Sequence, residues 1–342
     1  MKIFISNLHG QSDSSTAMIA QNTVTDIAKG MWMNELPISY FPINSLSLEQ
    51  MAERAAEIAN NLSRDDVIIL QLPTWNGIAF DEILIESIKK RQAKMIAFVH
   101  DFVPYMFAKN YYLLDRYLNA YNQTELLILP SQKMGDMMTE AGLKKKFVIQ
   151  ELWDHHVNIP VKVNQEFNKN KVVFAGSLTR FPFIWDLDGQ LDVDVFSNDQ
   201  GRDNSSIHIK GWQPDAILIH ELANSGAMGL VWSENFTDRP EREYSKINAS
   251  YKLSTYLAAG IPVILREENA KAEIVSRYGA GLIVNELDDL KNKLNEMSQE
   301  DINQMREHAK KLGFLIRHGE FTRKVLVDSI FKAIGDEKNE NI

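Results

Sequence analysis

The chain has 342 residues, more than the roughly 250–300 at which a single hydrophobic core stops growing, so two domains are expected. Its formal net charge is -9, from 37 basic and 46 acidic residues, and no Lys/Arg block exceeds a few residues, which argues against nucleic acid as a partner. There is no cysteine, no apolar run long enough to span a bilayer and no signal-peptide core after Met1-Lys2; a cytoplasmic protein without disulfides, thiolate metal sites or membrane spans is expected.

Residues 2–7 read as a short buried strand, followed by the small polar segment 10–16. A helix over 15–33 is predicted from Met18, Ile19, Val24, Ile27 and Met31 at helical spacing. A weak strand at 39–41, a helix at 48–62 and a strong strand at 66–72 follow, the last stopped by Pro73. Helices are predicted at 80–91, 104–121 and 133–141, and strands at 94–99, 126–129 and 146–152. Continuous apolar strands separated by helices predict a parallel sheet covered on both faces. This first domain spans 1–155. Residues 156–170 contain Pro160, lack periodicity and form the predicted linker.

The pattern restarts at 171–175, with further strands at 192–196, 207–209, 230–232, 261–265 and 281–284. Helices are predicted at 214–224, 249–259, 270–278, 288–297, 301–315 and 320–334, with Pro214 suited to a first helical position. The second domain is 171–318, and 319–342 forms a terminal helix and polar tail.

Parallel α/β sheets take ligands beyond the C-terminal ends of their strands, and clefts between domains are favoured sites, so candidate chemistry is sought there. Ser15 and Thr16 offer hydroxyls to a sugar, or else Ser14 or Ser15 simply caps the helix. No GxGxxG, Walker A or GxSxG sequence occurs. Thr74 and Trp75 follow Pro73; the indole suits the apolar face of a pyranose, or packs beneath a neighbouring loop. His100-Asp101 supplies a general base for a sugar hydroxyl, unless one caps a helix and the other packs.

Gly176, Ser177, Thr179 and Arg180 follow the first strand of the second domain. Glycine permits close approach, and amides at a following helix start together with Arg180 suit a diphosphate; a surface turn is the alternative. Lys252 lies in the first turn of the predicted 249–259 helix, where a cation is unfavourable by about 0.3–1 kcal/mol unless an anion offsets it. Asn248 is read as the cap of that helix, and Lys246 joins the anion site. Asp192-Val193-Asp194 resembles a DxD motif but lies inside a predicted strand, and His155-His156 lacks metal-ligand spacing, so no metal site is read.

The order of these pieces carries a family resemblance. Ile3-Phe4-Ile5-Ser6-Asn7 with the 10–16 loop, Val99-His100-Asp101, Phe174-Ala175-Gly176-Ser177-Leu178 and the stretch KINASYKLSTYLAAGIPV at 246–263 resemble GT-B glycosyltransferases. More closely, the chain is similar to glucosyltransferases that extend glycans on serine-rich repeat adhesins of Gram-positive bacteria. The resemblance implies an α/β GT-B fold: two Rossmann-like domains facing across a cleft, with a C-terminal helix crossing back to the first. It implies transfer of a hexose, glucose in this family, from a UDP-sugar to N-acetylglucosamine already attached to Ser/Thr of the adhesin. No metal or other cofactor is implied, and the work is done in the cytosol, before accessory-Sec export, by a homo-oligomer, a tetramer. Carried over, Arg180 contacts the diphosphate; Lys246, Asn248, Tyr251 and Lys252 contribute to the UDP site; Thr16 and its neighbours face the acceptor or the transferred sugar.

One departure stands out. Many retaining GT-B enzymes carry an acid at the start of the donor helix, but Ala249-Ser250-Tyr251 has none, although Glu241 and Glu243 lie upstream. Stereochemistry therefore stays open, as does a galactofuranosyl or other hexosyl donor. The residues alone also permit a sugar or nucleotide binder without turnover, an NAD enzyme, or an assembly protein using the aromatic segment 105–121.

Overall fold

A computed structural model describes the chain except residues 13–14, 158, 162–165, 200–205, 237–238 and 336–342. Ser14, one of the two candidate caps, and the polar tail from Asp336 lie outside the described residues. The chain divides into two compact units, Met1–Glu151 with Phe321–Ile342, and Leu152–Glu320.

The first unit holds a six-stranded parallel sheet: β1 (Ile3–His9), β2 (Asn34–Ser39), β3 (Val67–Leu72), β4 (Lys94–Val99), β5 (Leu126–Leu129) and β6 (Phe147–Ile149), in the order β2-β1-β3-β4-β5-β6. β3 and β5 are buried along their whole length, which is why they read as unbroken apolar runs rather than alternating ones. The sheet is flanked in sequence by α1 (Thr16–Lys29), α2 (Leu48–Ala59), α3 (Ile78–Lys90), α4 (Val103–Met106), α5 (Leu114–Tyr121) and α6 (Gln132–Glu140).

Two predictions are corrected here. The second strand lies at Asn34–Ser39 instead of 39–41; it contains Pro37, which lacks an amide hydrogen but is tolerated because β2 is an edge strand. The continuous helix predicted at 104–121 is broken, because Phe107 is extended (φ -135°, ψ 127°) and Ala108–Leu113 forms a 3-10 turn. Edge-to-face packing of Phe102 on Tyr105 and Tyr117, at 5.0 and 5.9 Å, outweighs the helical periodicity.

The second unit repeats the architecture with β7 (Lys171–Ala175), β8 (Asp192–Phe196), β9 (Ile207–Ile209), β10 (Met228–Val231), β11 (Val263–Arg266) and β12 (Gly281–Val284), all parallel, ordered β12-β11-β10-β7-β8-β9. Its helices are α7 (Asp215–Ala223), α8 (Glu241–Ser245), α9 (Tyr251–Ala258), α10 (Ala272–Tyr278), α11 (Asp288–Glu296) and α12 (Gln299–Arg317). Phe174, Ile184, Val193, Leu230 and Ile264 belong to its core. α8 and a 3-10 turn at Pro182–Leu187 escaped prediction because five or six residues are too few to show a period. Pro214 takes the N-cap position of α7, with extended ψ of 150°, instead of the first helical turn. The last helix, α13 (Glu320–Gly335), buries Phe321, Val325 and Leu326, and from Phe321 onward it belongs to the first unit.

Strand order reverses between β1 and β3 in the first unit and between β7 and β10 in the second. Such switch points open a crevice at the C-terminal strand ends, where α/β sheets bind ligands. Among the described residues, no helix is long and apolar enough to cross a membrane.

Candidate active site

In the second unit the switch point brings together residues far apart in sequence. β7 ends where the Ala175 amide donates to the hydroxyl of fully buried Tyr256, at 2.8 Å. Gly176 follows directly. A Cβ there would lie 3.0 Å from Lys252 Cε and 3.1 Å from the Phe174 ring, so the glycine makes room for the lysine stem. Lys252 Nζ stands 4.2 Å from the centroid of Phe181 and 5.5 Å from that of Phe174. The Arg180 guanidinium covers the same Phe181 ring at 5.1 Å. Glu241, at the start of α8, accepts from Arg180 Nε and Nη2 at 2.9 and 2.6 Å, and Arg239 lies 3.9 Å from the same carboxylate oxygen. Two arginines thus flank one carboxylate, whose charge also reaches Lys252. Burial first, and the neighbouring Arg180 second, hold the Lys252 ammonium down to about 8. A desolvated lysine beside a second cation is an environment that an anion relieves.

The other predicted residues of this unit are turned to different partners. The loop after Gly176 does not open an α-helix; it leads into the 3-10 turn, whose first residue is Pro182 and has no amide hydrogen. The Leu178 amide and Thr179 hydroxyl both donate to Asp199, at 2.6 and 2.8 Å, and Ser177 and Ser197 also hydrogen-bond that carboxylate, which sits at about 2. The nest expected to hold a phosphate therefore already holds an acid. Lys246 pairs with Glu243 and Glu268 at 3.0 and 3.1 Å. Asn248 does not cap α9: it is buried, donates to the Tyr244 hydroxyl at 3.0 Å and accepts from the Ala249 amide at 2.8 Å, while Ser250 holds the N-cap position without a side-chain cap bond. Tyr251 stacks on His155. In the DxD-like strand, Asp194 pairs with Lys171 and Lys210, and Asp192 with His208.

In the first unit, Ser15 is the N-cap of α1: its hydroxyl accepts from the Met18 amide at 3.3 Å and donates to Gln11 at 2.6 Å. Thr16, the next residue, is exposed. Thr74 is buried and its hydroxyl is spent on Asp81, at 2.5 Å, a carboxyl that burial raises to about 7. Trp75 is half-buried in the left-handed region, φ 62°, and among the described contacts its Nε1 has no hydrogen-bond partner. Asn76 braces this turn by accepting from the Phe41 amide at 2.8 Å and donating to the Ser39 carbonyl at 3.2 Å.

His100 is buried, stacks on Phe98 and lies 2.8 Å from Gln71 Oε1. Gln71 Nε2 faces three oxygens, the carbonyls of Ser6 and Gln21 and the Thr25 hydroxyl, so its orientation is set and Oε1 must accept from His100. The imidazole therefore carries its hydrogen on Nε2, leaving Nδ1 as the basic atom. Burial holds the ring down to about 3, so it is neutral at physiological pH. Asp101 beside it is half-buried.

Comparison with known proteins follows the same division. The models of the glucosyltransferase 3-like N-terminal and C-terminal domains match residues 2–152 and 172–329. The chain belongs to the glucosyltransferase 3 family. It is 38% identical over 336 residues to glucosyltransferase 3 of Streptococcus gordonii, and 36% over 339 residues to that of Streptococcus parasanguinis, each match covering 98% of this chain and 100% of the relative. The crystal structure of Anabaena HepE in complex with UDP and glucose aligns with TM-score 0.57 at 13% identity, covering 96% of this chain and 99% of that one, a likeness of fold. The chain is a hexosyltransferase with the GT-B fold of two Rossmann-like units. Of the site residues now visible, sequence reasoning missed Phe181, Asp199 and Glu241's pairing with Arg180. Only Glu241, an acid just ahead of the donor stretch, left any signal.

Proposed function

We propose that the protein transfers glucose from UDP-glucose to N-acetylglucosamine O-linked to serine or threonine of a serine-rich repeat adhesin. The observation that carries this is the pairing of Lys252 with Arg180 on one aromatic ring at a strand-order switch point. Two cations within reach of one pyrophosphate stabilise the charge that grows on UDP as the glycosidic bond breaks. Glu241 keeps the Arg180 fork oriented. The streptococcal relatives named glucosyltransferase 3 support glucose as the hexose, and HepE, of the same fold, binds UDP and glucose.

In this reading Gly176, Ser177, Thr179, Tyr251, Asn248 and Lys246 shape the wall of the donor site, and no metal is required. The first unit carries the acceptor. Thr16 and Trp75 contact the N-acetylglucosamine, with Ser15 and Thr74 holding their loops. His100, held down to about 3 by burial, is too weak a base to deprotonate the attacking hydroxyl, and with Asp101 as its neighbour it serves to orient that hydroxyl. The protein acts as a homo-oligomer, a tetramer, and exposed Tyr111 and Tyr112 supply apolar contact surface.

UDP at a hundredfold excess over its Kd is expected to stabilise the folded protein by about 2.7 kcal/mol, raising the melting temperature, while NAD leaves it unchanged. Incubation with a panel of UDP-hexoses and a glycopeptide bearing N-acetylglucosamine should add the mass of one hexose, from UDP-glucose in preference to the others. No UDP-dependent stabilisation and no mass increase would remove the proposal. Trp75→Ala is expected to raise the acceptor KM about tenfold, the loss of one aromatic contact, with the donor KM unchanged. A changed donor KM instead would place Trp75 on the other substrate.

A further inference from the structure

We infer that His155 is a positioning residue for donor binding, acting through Tyr251 at the first turn of α9; the inference rests on the donor role proposed above for Lys252. Trp153-Asp154-His155 opens the second unit and is buried throughout. The Trp153 indole Nε1 donates to the Ala249 carbonyl at 3.2 Å, and the His155 amide donates to the Ile316 carbonyl at 3.2 Å. The His155 ring stacks on Tyr251, with centroids 5.1 Å apart and planes at 27°.

Both ring nitrogens are held. Nε2 lies 2.9 and 3.0 Å from the two oxygens of Asp215, the first residue of α7, and a carboxylate only accepts, so Nε2 carries the hydrogen. Nδ1 lies 3.2 Å from the Thr255 hydroxyl, one turn into α9. Anchors on two helices leave the imidazole no rotation, and its face is a fixed floor beneath Tyr251.

A buried, satisfied histidine in a core is common, and burial alone would carry nothing. What distinguishes this one is where the contacts converge. Trp153 and His155 grip Ala249 and Tyr251, the residues on either side of Ser250. Ser250 is the N-cap of α9 and makes no side-chain cap bond, and Lys252 places a cation in the first turn; both weaken a helix start. The buried segment therefore does the work a cap would do. Without it the first turn of α9 frays, and Lys252 leaves its place over Phe181, 4.2 Å from the ring centroid.

The test uses the full-length enzyme, with UDP affinity from calorimetry and KM measured separately for UDP-glucose and acceptor. His155→Ala is expected to raise the UDP Kd and the donor KM about tenfold, a displacement of the diphosphate ligand, while the acceptor KM stays at the wild-type value. Tyr251→Ala should do the same, Tyr251→Phe should keep the stack and the affinity, and His155→Gln, which retains a donor toward Asp215, should recover part of it. Because His155 acts through Tyr251, the double variant should bind UDP no more weakly than Tyr251→Ala alone.

Should His155→Ala fail to fold, Asp215→Ala loosens the same ring from a half-exposed position, with an expected rise of about threefold. Unchanged UDP affinity in both variants, or additive losses in the double variant, would overturn the inference. Wild-type protein that ignores UDP would instead overturn the donor reading beneath it.

Discussion

Lys252→Ala is expected to slow hexosyl transfer about a hundredfold or more while the protein stays folded, the usual loss when one preorganised donor to a growing anion is removed. The lysine is half-buried, with its ammonium over Phe181 and beside Arg180. The same surroundings make it unfavourable in the empty protein. Its folded value of about 8 lies below the 10.5 of an exposed lysine, so below about pH 8 it is charged in both folded and unfolded chains and its burial penalty is fully felt.

Between pH 8 and 10.5 the unfolded chain binds the extra proton, and the penalty fades as pH rises. Lys252→Met should accordingly raise the melting temperature at pH 7 but not near pH 10.5, giving an enzyme that is more stable and inactive. Bound diphosphate favours the charged form, so UDP affinity should fall by up to about tenfold per pH unit above pH 8 in the wild type and stay flat in Lys252→Ala. Near wild-type turnover at saturating and limiting donor, or a pH slope that survives the substitution, would exclude Lys252 from the site.

Gly229→Ala is expected to destabilise the second unit by about 3 kcal/mol, at the upper end of the usual range for overpacking a core. Gly229 lies in β10, paired with both β7 and β11, and a Cβ there would sit 2.6 Å from Tyr256 Cβ and overlap the ring itself. Tyr256 is fully buried and cannot swing into solvent. At about 2–4 °C per kcal/mol for a unit of this size, the melting temperature should fall by roughly 6–12 °C. Activity should fall below the transition as well, because the Tyr256 hydroxyl accepts from the Ala175 amide and fixes the strand end that leads into Gly176. A melting temperature within a degree of wild type would mean that the tyrosine has room the geometry does not show.

The periodic parts of this protein were legible in the amino-acid sequence. The strands at Lys94–Val99, Leu126–Leu129 and Lys171–Ala175 stand where their apolar runs put them, because burial on both faces of a parallel sheet is written into consecutive residues. The mild violation at Lys252, a cation in a first helical turn, was equally local and marked that residue as a candidate for anion contact. Family membership was legible through the order of short motifs. Short elements without a full period, α8 and the 3-10 turn at Pro182, were not.

What joins Arg180 to Lys252 and Glu241 is strand order: β10 crosses back to pair with β7, and no property of any one segment states that crossing. The same holds for Asp199, whose carboxylate fills the loop that a local reading left open to phosphate. It holds for His100, whose tautomer is chosen by Gln71 on the neighbouring strand. Helix and strand preferences depend on residues within a turn or two of one another. The partners of a charged or polar side chain depend on which distant segments the crossovers bring alongside it, and only the folded chain decides that.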